Sequence, residues 1–371
     1  MPPPPPDPKS GKQAEGPVKA MVVGPQDFIA GQVCKILERD SRIEVTAKPA
    51  DGQEAIQQFR GAEVEVIVLD IGADPKQALT TISRLLRIDT KAQIIMISTL
   101  NFTNIKTGIE GLERGAAEFL QTPASYTKDS SLAVFQHNLG ELVDGLGMAR
   151  RRAGKRLAKK VPVRTPAQPI QLRKESEAAP KILVIGSSTG GPQALLTLFK
   201  ALSTSVKVPV LITQHMPPIF TATLADNITK NSGWTCTEGK DGDIIEAGHA
   251  YMAPGDYHMV IEKDGDTVRI RNNQGPPVNY CRPSVDPLFK SAVNIFGANT
   301  LAAIMTGMGS DGEAGAAEIA EAGGTIIAQD EETSVVWGMP GAVAVAGVCS
   351  AVLPLEKMAG FLNKFITGKP A

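Results

Sequence analysis

The chain has 371 residues, 42% of them apolar, enough for two domains that each bury a core of their own. Its 38 Lys and Arg offset 39 Asp and Glu to a formal net charge of -1, which argues against a nucleic-acid partner. The four cysteines, Cys34, Cys236, Cys281 and Cys349, are far apart with no C-x-x-C pair, which fits reduced, structural thiols better than a disulfide framework or a zinc site.

Residues 1–17 open with Pro2 to Pro6 rather than a basic and then an apolar segment, so they read as a disordered tail and not as a signal peptide or anchor. No apolar run approaches the roughly 18 residues of a spanning helix. A soluble, cytoplasmic protein that is not membrane-inserted is expected. From 18 to 146, short apolar runs at Lys19 to Val23, Ile43 to Ala47, Val66 to Leu69, Gln93 to Ile97 and Glu118 to Leu120 alternate with helical periodicity. Ile29, Val33, Ile36 and Leu37 mark one helix face, and Leu79, Ile82 and Leu85 another. Five βα units imply an α/β, doubly wound parallel sheet.

Residues 147–179 read as a linker. Eight Lys or Arg and no acid lie between Arg150 and Arg164, with Pro162, Pro166 and Pro169 among and after them, as in a solvated tether whose start continues the preceding helix. A second α/β domain is expected over 180–369. Its strands are Lys181 to Gly186, Pro209 to Thr213 and Leu301 to Met305, with antiparallel hairpins inserted between Ala250 and Arg271, where Asp-Gly and Gly-Asp turns separate β-prone runs.

Sites in open α/β sheets assemble at the carboxyl ends of strands. Gly186-Ser187-Ser188-Thr189-Gly190-Gly191-Pro192 leaves the first of these strands and enters a helix with proline suited to its first position. Small neighbours let Ser188 stand on a sharp corner with backbone N–H groups free for an oxyanion. A phosphate-binding glycine loop would also suit such a corner, although neither the dinucleotide fingerprint nor G-K-[ST] is present. His215 ends the next strand, one crossover later, where it can act as a general base; His249 and His258 lie in the hairpin region, farther from this edge. Thr306-Gly307-Met308-Gly309-Ser310-Asp311-Gly312 ends the third strand, so Asp311 is either a helix cap, the carboxylate that orients His215, or both.

Together these loops closely resemble the catalytic domain of the chemotaxis protein-glutamate methylesterases (CheB type). Further matching stretches are Ala253-Pro254-Gly255-Asp256-Tyr257-His258-Met259, Arg282-Pro283-Ser284-Val285-Asp286, and Gln329-Asp330-Glu331 running on to Gly338-Met339-Pro340. The resemblance covers about Lys181 to Ile366. It implies Ser188 as nucleophile, His215 as general base and acid, and Asp311 as its orienting carboxylate, with no cofactor. Thr189 and Met308 are the expected oxyanion donors, Gly190 and Gly191 support the turn, and Met216, Arg282 and Ser284 are candidates for a substrate loop. The implied substrates are methylated glutamates, and also glutamines, on the cytoplasmic helices of chemoreceptors.

The first half resembles a flavodoxin-like response-regulator receiver that departs from the pattern at its phosphorylation site. Asp70 matches the phosphoacceptor and Ser98 the small hydroxyl position. Gly24-Pro25 replaces the acidic pair that holds Mg²⁺, and Thr122-Pro123 replaces Lys-Pro. A degenerate receiver is therefore expected, with Asp27 and Asp74 as nearby substitute acids. It serves instead as a cover over the catalytic edge or a docking surface for a histidine kinase or other signalling protein. Competing functions are a different esterase or protease using the same three residues, a non-catalytic interaction protein, and a nucleotide-binding regulator using the Gly186 to Gly191 loop.

Overall fold

A computed structural model describes residues 16–26, 29–72, 74–99, 101–123, 126, 130–158 and 170–368. Most of the proline-rich tail, Asp27 and residues 159–169 of the linker lie outside the described residues.

Strands β1 (Val18–Val23), β2 (Ile43–Ala47), β3 (Val66–Asp70), β4 (Gln93–Ser98) and β5 (Glu118–Gln121) form a parallel sheet in the order β2-β1-β3-β4-β5. The connecting helices are α1 (Ile29–Leu37), α2 (Gly52–Phe59), α3 (Pro75–Ile88) and α4 (Phe102–Glu113), followed by α5 (Ser130–Ala158). β3 is buried along its whole length, which is why Val66-Ile67-Val68-Leu69 reads as an unbroken apolar run rather than an alternating one.

The helix α5 passes residue 146 and continues to Ala158, so the first part of the expected linker is helical. Arg150 and Arg151 are not part of a free tether: they fold back on the first domain and pair with Asp89 and Glu65 at 2.5 Å each. Carboxylates already in place on neighbouring loops make pairing on a continued helix favourable over solvation. The far end of the expected linker packs on the second domain, where Arg173 N–H donates to Cys349 O at 2.8 Å.

The second sheet has seven parallel strands in the order β14-β13-β12-β6-β7-β9-β8. These are β6 (Ile182–Ser187), β7 (Val210–Gln214), β8 (Thr235–Glu238), β9 (His249–Met252), β12 (Thr300–Ile304), β13 (Thr325–Gln329) and β14 (Ala351–Leu353). Only β10 (His258–Asp264) and β11 (Thr267–Asn273) form an inserted antiparallel hairpin. Ala250 to Met252, expected in a hairpin, instead pairs in parallel with β7 and β8, because Ala250, Tyr251 and Met252 are apolar and need cover on both faces. The helices relevant to the site are α6 (Gly191–Ala201), α7 (Phe220–Ser232), α8 (Val285–Phe296) and α9 (Glu313–Glu321).

The two domains meet through an aromatic contact and several polar ones. Phe119 on β5 and Phe220 at the start of α7 meet with ring centroids 4.6 Å apart. Gln193 on α6 donates through Nε2 to Leu112 O at 2.7 Å and Ala116 O at 2.9 Å, and Asn227 Nδ2 donates to Glu113 Oε1 at 2.7 Å. Val335, Val336 and Met308 of the second half pack into the core that α5 shares with β1.

Candidate active site

β12, β6 and β7 are adjacent and parallel, so the loops leaving their carboxyl ends emerge on one rim. Ser188 follows β6, His215 follows β7, and Thr306 to Asp311 follow β12. The loops are stitched together by backbone: Ser188 N–H donates to Thr306 O at 3.0 Å and His215 N–H to Ser187 O at 3.1 Å. Ser187 Oγ donates to Gln214 Oε1 at 2.7 Å, and Gln214 Nε2 donates to Ser188 O at 2.9 Å and His215 O at 3.2 Å. The Gln214 amide thus holds the serine corner and the histidine loop in one register.

The corner requires glycine at two points. Gly190 has φ +75°, the left-handed region that favours glycine, and a Cβ there would lie 2.5 Å from Val335. At Gly307 a Cβ would lie 2.9 Å from Ser188 Cβ and would overlap Met339 Sδ. Any side chain at that position would push the serine off its seat.

His215 Nε2 lies 2.7 Å from Asp311 Oδ2. A carboxylate only accepts, so Nε2 carries the proton and Nδ1 holds the basic lone pair. Asp311 is 2% exposed and fully engaged: Oδ2 also accepts from Val285 N–H at 2.7 Å, and Oδ1 from Ser284 Oγ at 2.7 Å, Asn279 Nδ2 at 2.9 Å and Asp286 N–H at 3.3 Å. Burial opposes its charge, but the His215 ring and these donors outweigh it and hold the carboxyl well below the usual range.

Asp311 does not cap the helix it precedes, since α9 has Gly312 as its N-cap. Its carboxylate instead sits at the N-terminus of α8, taking N–H groups that a helix start leaves unpaired and gaining from the helix dipole. Burial also works against a charged His215 ring, yet the facing Cys281 and the Asp311 carboxylate together raise it well above its ordinary value.

The Ser188 hydroxyl has no hydrogen-bond partner among the described residues. Nδ1 of His215 faces Cys281 Sγ at 3.3 Å, so the expected chain of hydroxyl, imidazole and carboxylate is closed at its carboxylate end and occupied by a thiol at the other. The backbone N–H groups of Thr189 and Met308 are also unpaired among the described residues, whereas those of Gly191 and Gly307 are used by Ser188 O and Val336 O.

The other expected site residues divide. Ser284 is fully buried and serves Asp311. Met216 is buried in the core beside α4 and α7. Arg282 is engaged within the chain: Nε and Nη2 hold Asp256 Oδ1 at 3.0 and 2.6 Å, and Nη1 donates to Gln274 O at 3.2 Å and Gly275 O at 2.8 Å. His258, expected far from this edge, is 3% exposed and accepts Ser284 N–H on Nδ1 at 3.2 Å, so it braces the residue that braces Asp311.

Residues that sequence reasoning missed come from two directions. Asn279 and Cys281 arrive on a tight turn, with Val278 and Cys281 exchanging backbone bonds at 3.1 and 2.9 Å and both central residues, Asn279 and Tyr280, at positive φ. An Asn in such a turn is the one signal that was readable. Glu118 arrives from the other domain. It is buried beside Thr189, its Oε1 accepts Phe119 N–H at 2.9 Å, and burial pushes its carboxyl up to about 7.

In the first domain Asp70 ends β3, buried beside Gly24, and accepts Gly72 N–H at 2.9 Å. Burial raises its carboxyl above the usual value. Asp74 caps α3 through Gln77 N–H, and no group of three or more His, Cys, Asp or Glu suited to a metal occurs among the described residues. Ser98 Oγ accepts from Asn104 Nδ2 at 2.6 Å, and Thr122 Oγ1 is buried without a partner among the described residues. No helix among the described residues is long and apolar enough to cross a membrane.

A family model described as CheB methylesterase matches residues 183–362. A protein-glutamate methylesterase/protein-glutamine glutaminase 1 of Rhodospirillum rubrum is 44% identical over 366 residues, covering 94% of this chain and 95% of that protein. A protein-glutamate methylesterase/protein-glutamine glutaminase of Azospirillum brasilense is 41% identical over 382 residues, covering 98% and 97%. The crystal structure of the Thermotoga maritima CheB methylesterase catalytic domain is 40% identical, covers 50% of this chain and 99% of that one, and superposes with a TM-score of 0.49. With such identity sustained across both halves, the chain belongs to the CheB methylesterase family.

Proposed function

We propose that this chain is a protein-glutamate methylesterase and protein-glutamine deamidase in which Ser188 is the nucleophile, His215 the general base and acid, and Asp311 its orienting carboxylate. The observation that carries this reading is the 2.7 Å His215–Asp311 pair at the carboxyl end of three adjacent strands, with the Ser188 corner tied into the same rim. Ser188 Oγ attacks the glutamyl γ-carbonyl while Nδ1 takes its proton. The imidazolium returns that proton to the departing methoxide, and methanol leaves. Water then attacks the acyl-enzyme with His215 again as base, freeing the glutamate side chain and Ser188. A glutamine amide follows the same course with ammonia as leaving group. The free N–H groups of Thr189 and Met308 are the donors available for the tetrahedral oxyanion.

The substrates are the methylated cytoplasmic helices of chemoreceptors, which sets the site of action in the cytoplasm. A domain division at 18–146, 147–179 and 180–369 suits this reading, with the helical start of the linker rigidly continuing the first domain. That domain acts as a cover on the catalytic rim and as a docking surface for a kinase or other signalling protein. Ordinary phosphorylation of Asp70 is not its control, since Gly24 and Pro25 supply no carboxylate to hold Mg²⁺. The test is methanol release from methylated receptor membranes: the full chain is expected to release it, and Ser188→Ala to lose nearly all turnover. Wild-type turnover in Ser188→Ala would sink the assignment.

A further inference from the structure

The group facing the base is a thiol. Cys281 Sγ is 3.3 Å from His215 Nδ1, and His215 Nε2 is clamped by Asp311, so Cys281, His215 and Asp311 form a nucleophile, base and orienting acid of their own. The thiol is presented by the Val278–Cys281 turn, whose Asn279 side chain is itself fixed to Asp311 and Asp286 at 2.9 Å each. Turn, thiol and carboxylate are therefore held as one unit, and Cys281 is the half-buried member of the four cysteines.

We propose that Cys281 is a covalent modification site: held on the His215–Asp311 pair, its thiol reacts with hydroperoxides and soft electrophiles, and the adduct denies Ser188 the imidazole nitrogen it needs. The loss of turnover rests on His215 serving Ser188 as base; the reactivity of the thiol does not.

The chemistry balances at this site. The Cys281 proton moves to Nδ1, and the thiolate attacks the terminal oxygen of the hydroperoxide. The O–O bond breaks, and the imidazolium proton passes to the departing oxygen, leaving water or an alcohol. Sulfur is oxidised to a sulfenic acid and the hydroperoxide is reduced. An alkyl halide instead forms a C–S bond and expels halide. The remaining cysteines are poor competitors. Cys34, Cys236 and Cys349 are buried, and burial raises all three thiols, the last two up to about 12.

The experiment uses the full chain. Hydrogen peroxide at neutral pH followed by a sulfenic-acid trap, and separately iodoacetamide, are each read by peptide mass mapping. Both are expected to mark Cys281 first, at one adduct per chain. Its iodoacetamide rate at pH 7 should be at least tenfold faster in the wild type than in His215→Gln, which removes the base while retaining an amide for Asp311. Methanol release should fall in step with the adduct and return when dithiothreitol reduces the peroxide-treated enzyme. In Cys281→Ala, whatever turnover remains should be insensitive to peroxide. Labelling spread over the buried cysteines, equal rates with and without His215, or turnover that survives a complete adduct would each overturn the proposal. Because labelling is read by mass, its outcome stands apart from that of the methylesterase assay.

Discussion

Phe119 and Phe220 meet across the junction of the two halves, ring centroids 4.6 Å apart and planes inclined at 31°. Their contact is apolar, so truncating either ring tests the cover directly. Phe119→Ala should weaken docking by about 1–3 kcal/mol and raise methanol release by the full chain several-fold. Steady-state turnover on methylated membranes checks this, and an unchanged or lower rate in a folded variant would contradict the covering role.

Glu118 makes the same junction sensitive to pH. Its carboxyl is raised from 4.5 to about 7 by burial, so the proton is bound more tightly in the docked state than in the unfolded chain. The associated stability is fully present below pH 4.5 and is lost as pH rises through about 7, amounting to on the order of 3 kcal/mol. Thermal melts from pH 5 to 8 should show a decline that Glu118→Gln flattens.

Asp311 both orients His215 and fills the start of α8. Asp311→Asn should lower kcat by on the order of 10³–10⁴-fold, because an amide can present its N–H to Nε2 and stabilise the wrong tautomer. His215 must be neutral to act as a base, and its raised value moves the acid limb of kcat/KM upward. Profiles against pH should show that limb above the ordinary imidazole range in the wild type and lower in any residual activity of Asp311→Asn.

Gly307→Ala tests the packing under the nucleophile. The added methyl would come within 2.9 Å of Ser188 Cβ and would overlap Met339 Sδ. A loss of at least tenfold in kcat with a cost of about 1–3 kcal/mol in stability is expected, read by turnover and denaturant midpoint.

Asp70 should resist phosphorylation. Incubation with acetyl phosphate and Mg²⁺ is expected to leave the intact mass unchanged, and a stoichiometric phosphoryl adduct on Asp70 would refute this. Gly24→Asp should not restore the reaction, since Gly24 has φ +143° and a Cβ there would lie 3.0 Å from Asp70 Cβ.

Much of the fold was legible because parallel strands buried on both faces read as continuous apolar runs, as at Ile182 to Ile185 and Leu301 to Ile304. That Ser188, His215 and Asp311 stand at one rim was legible for a related reason: strand ends in such sheets are the places where glycine-rich corners expose polar side chains. Ala250 to Met252 misled because a three-residue β-prone run beside turn residues looks alike in a hairpin and in a sheet. Its neighbours β7 and β8 decide, and they are remote in sequence.

By itself the amino-acid order determined which segments are buried strands, where each turns sharply, and which polar residues stand at those turns, since these depend on local patterning and backbone freedom. Only tertiary structure decided the partners. Cys281 meets His215 across 66 positions, Asp311 caps a helix 26 positions upstream, and Glu118 lies against Thr189 through the docking of a different sheet. Such contacts depend on strand order and on how two apolar faces close, and neither is written in the periodicity of any one segment.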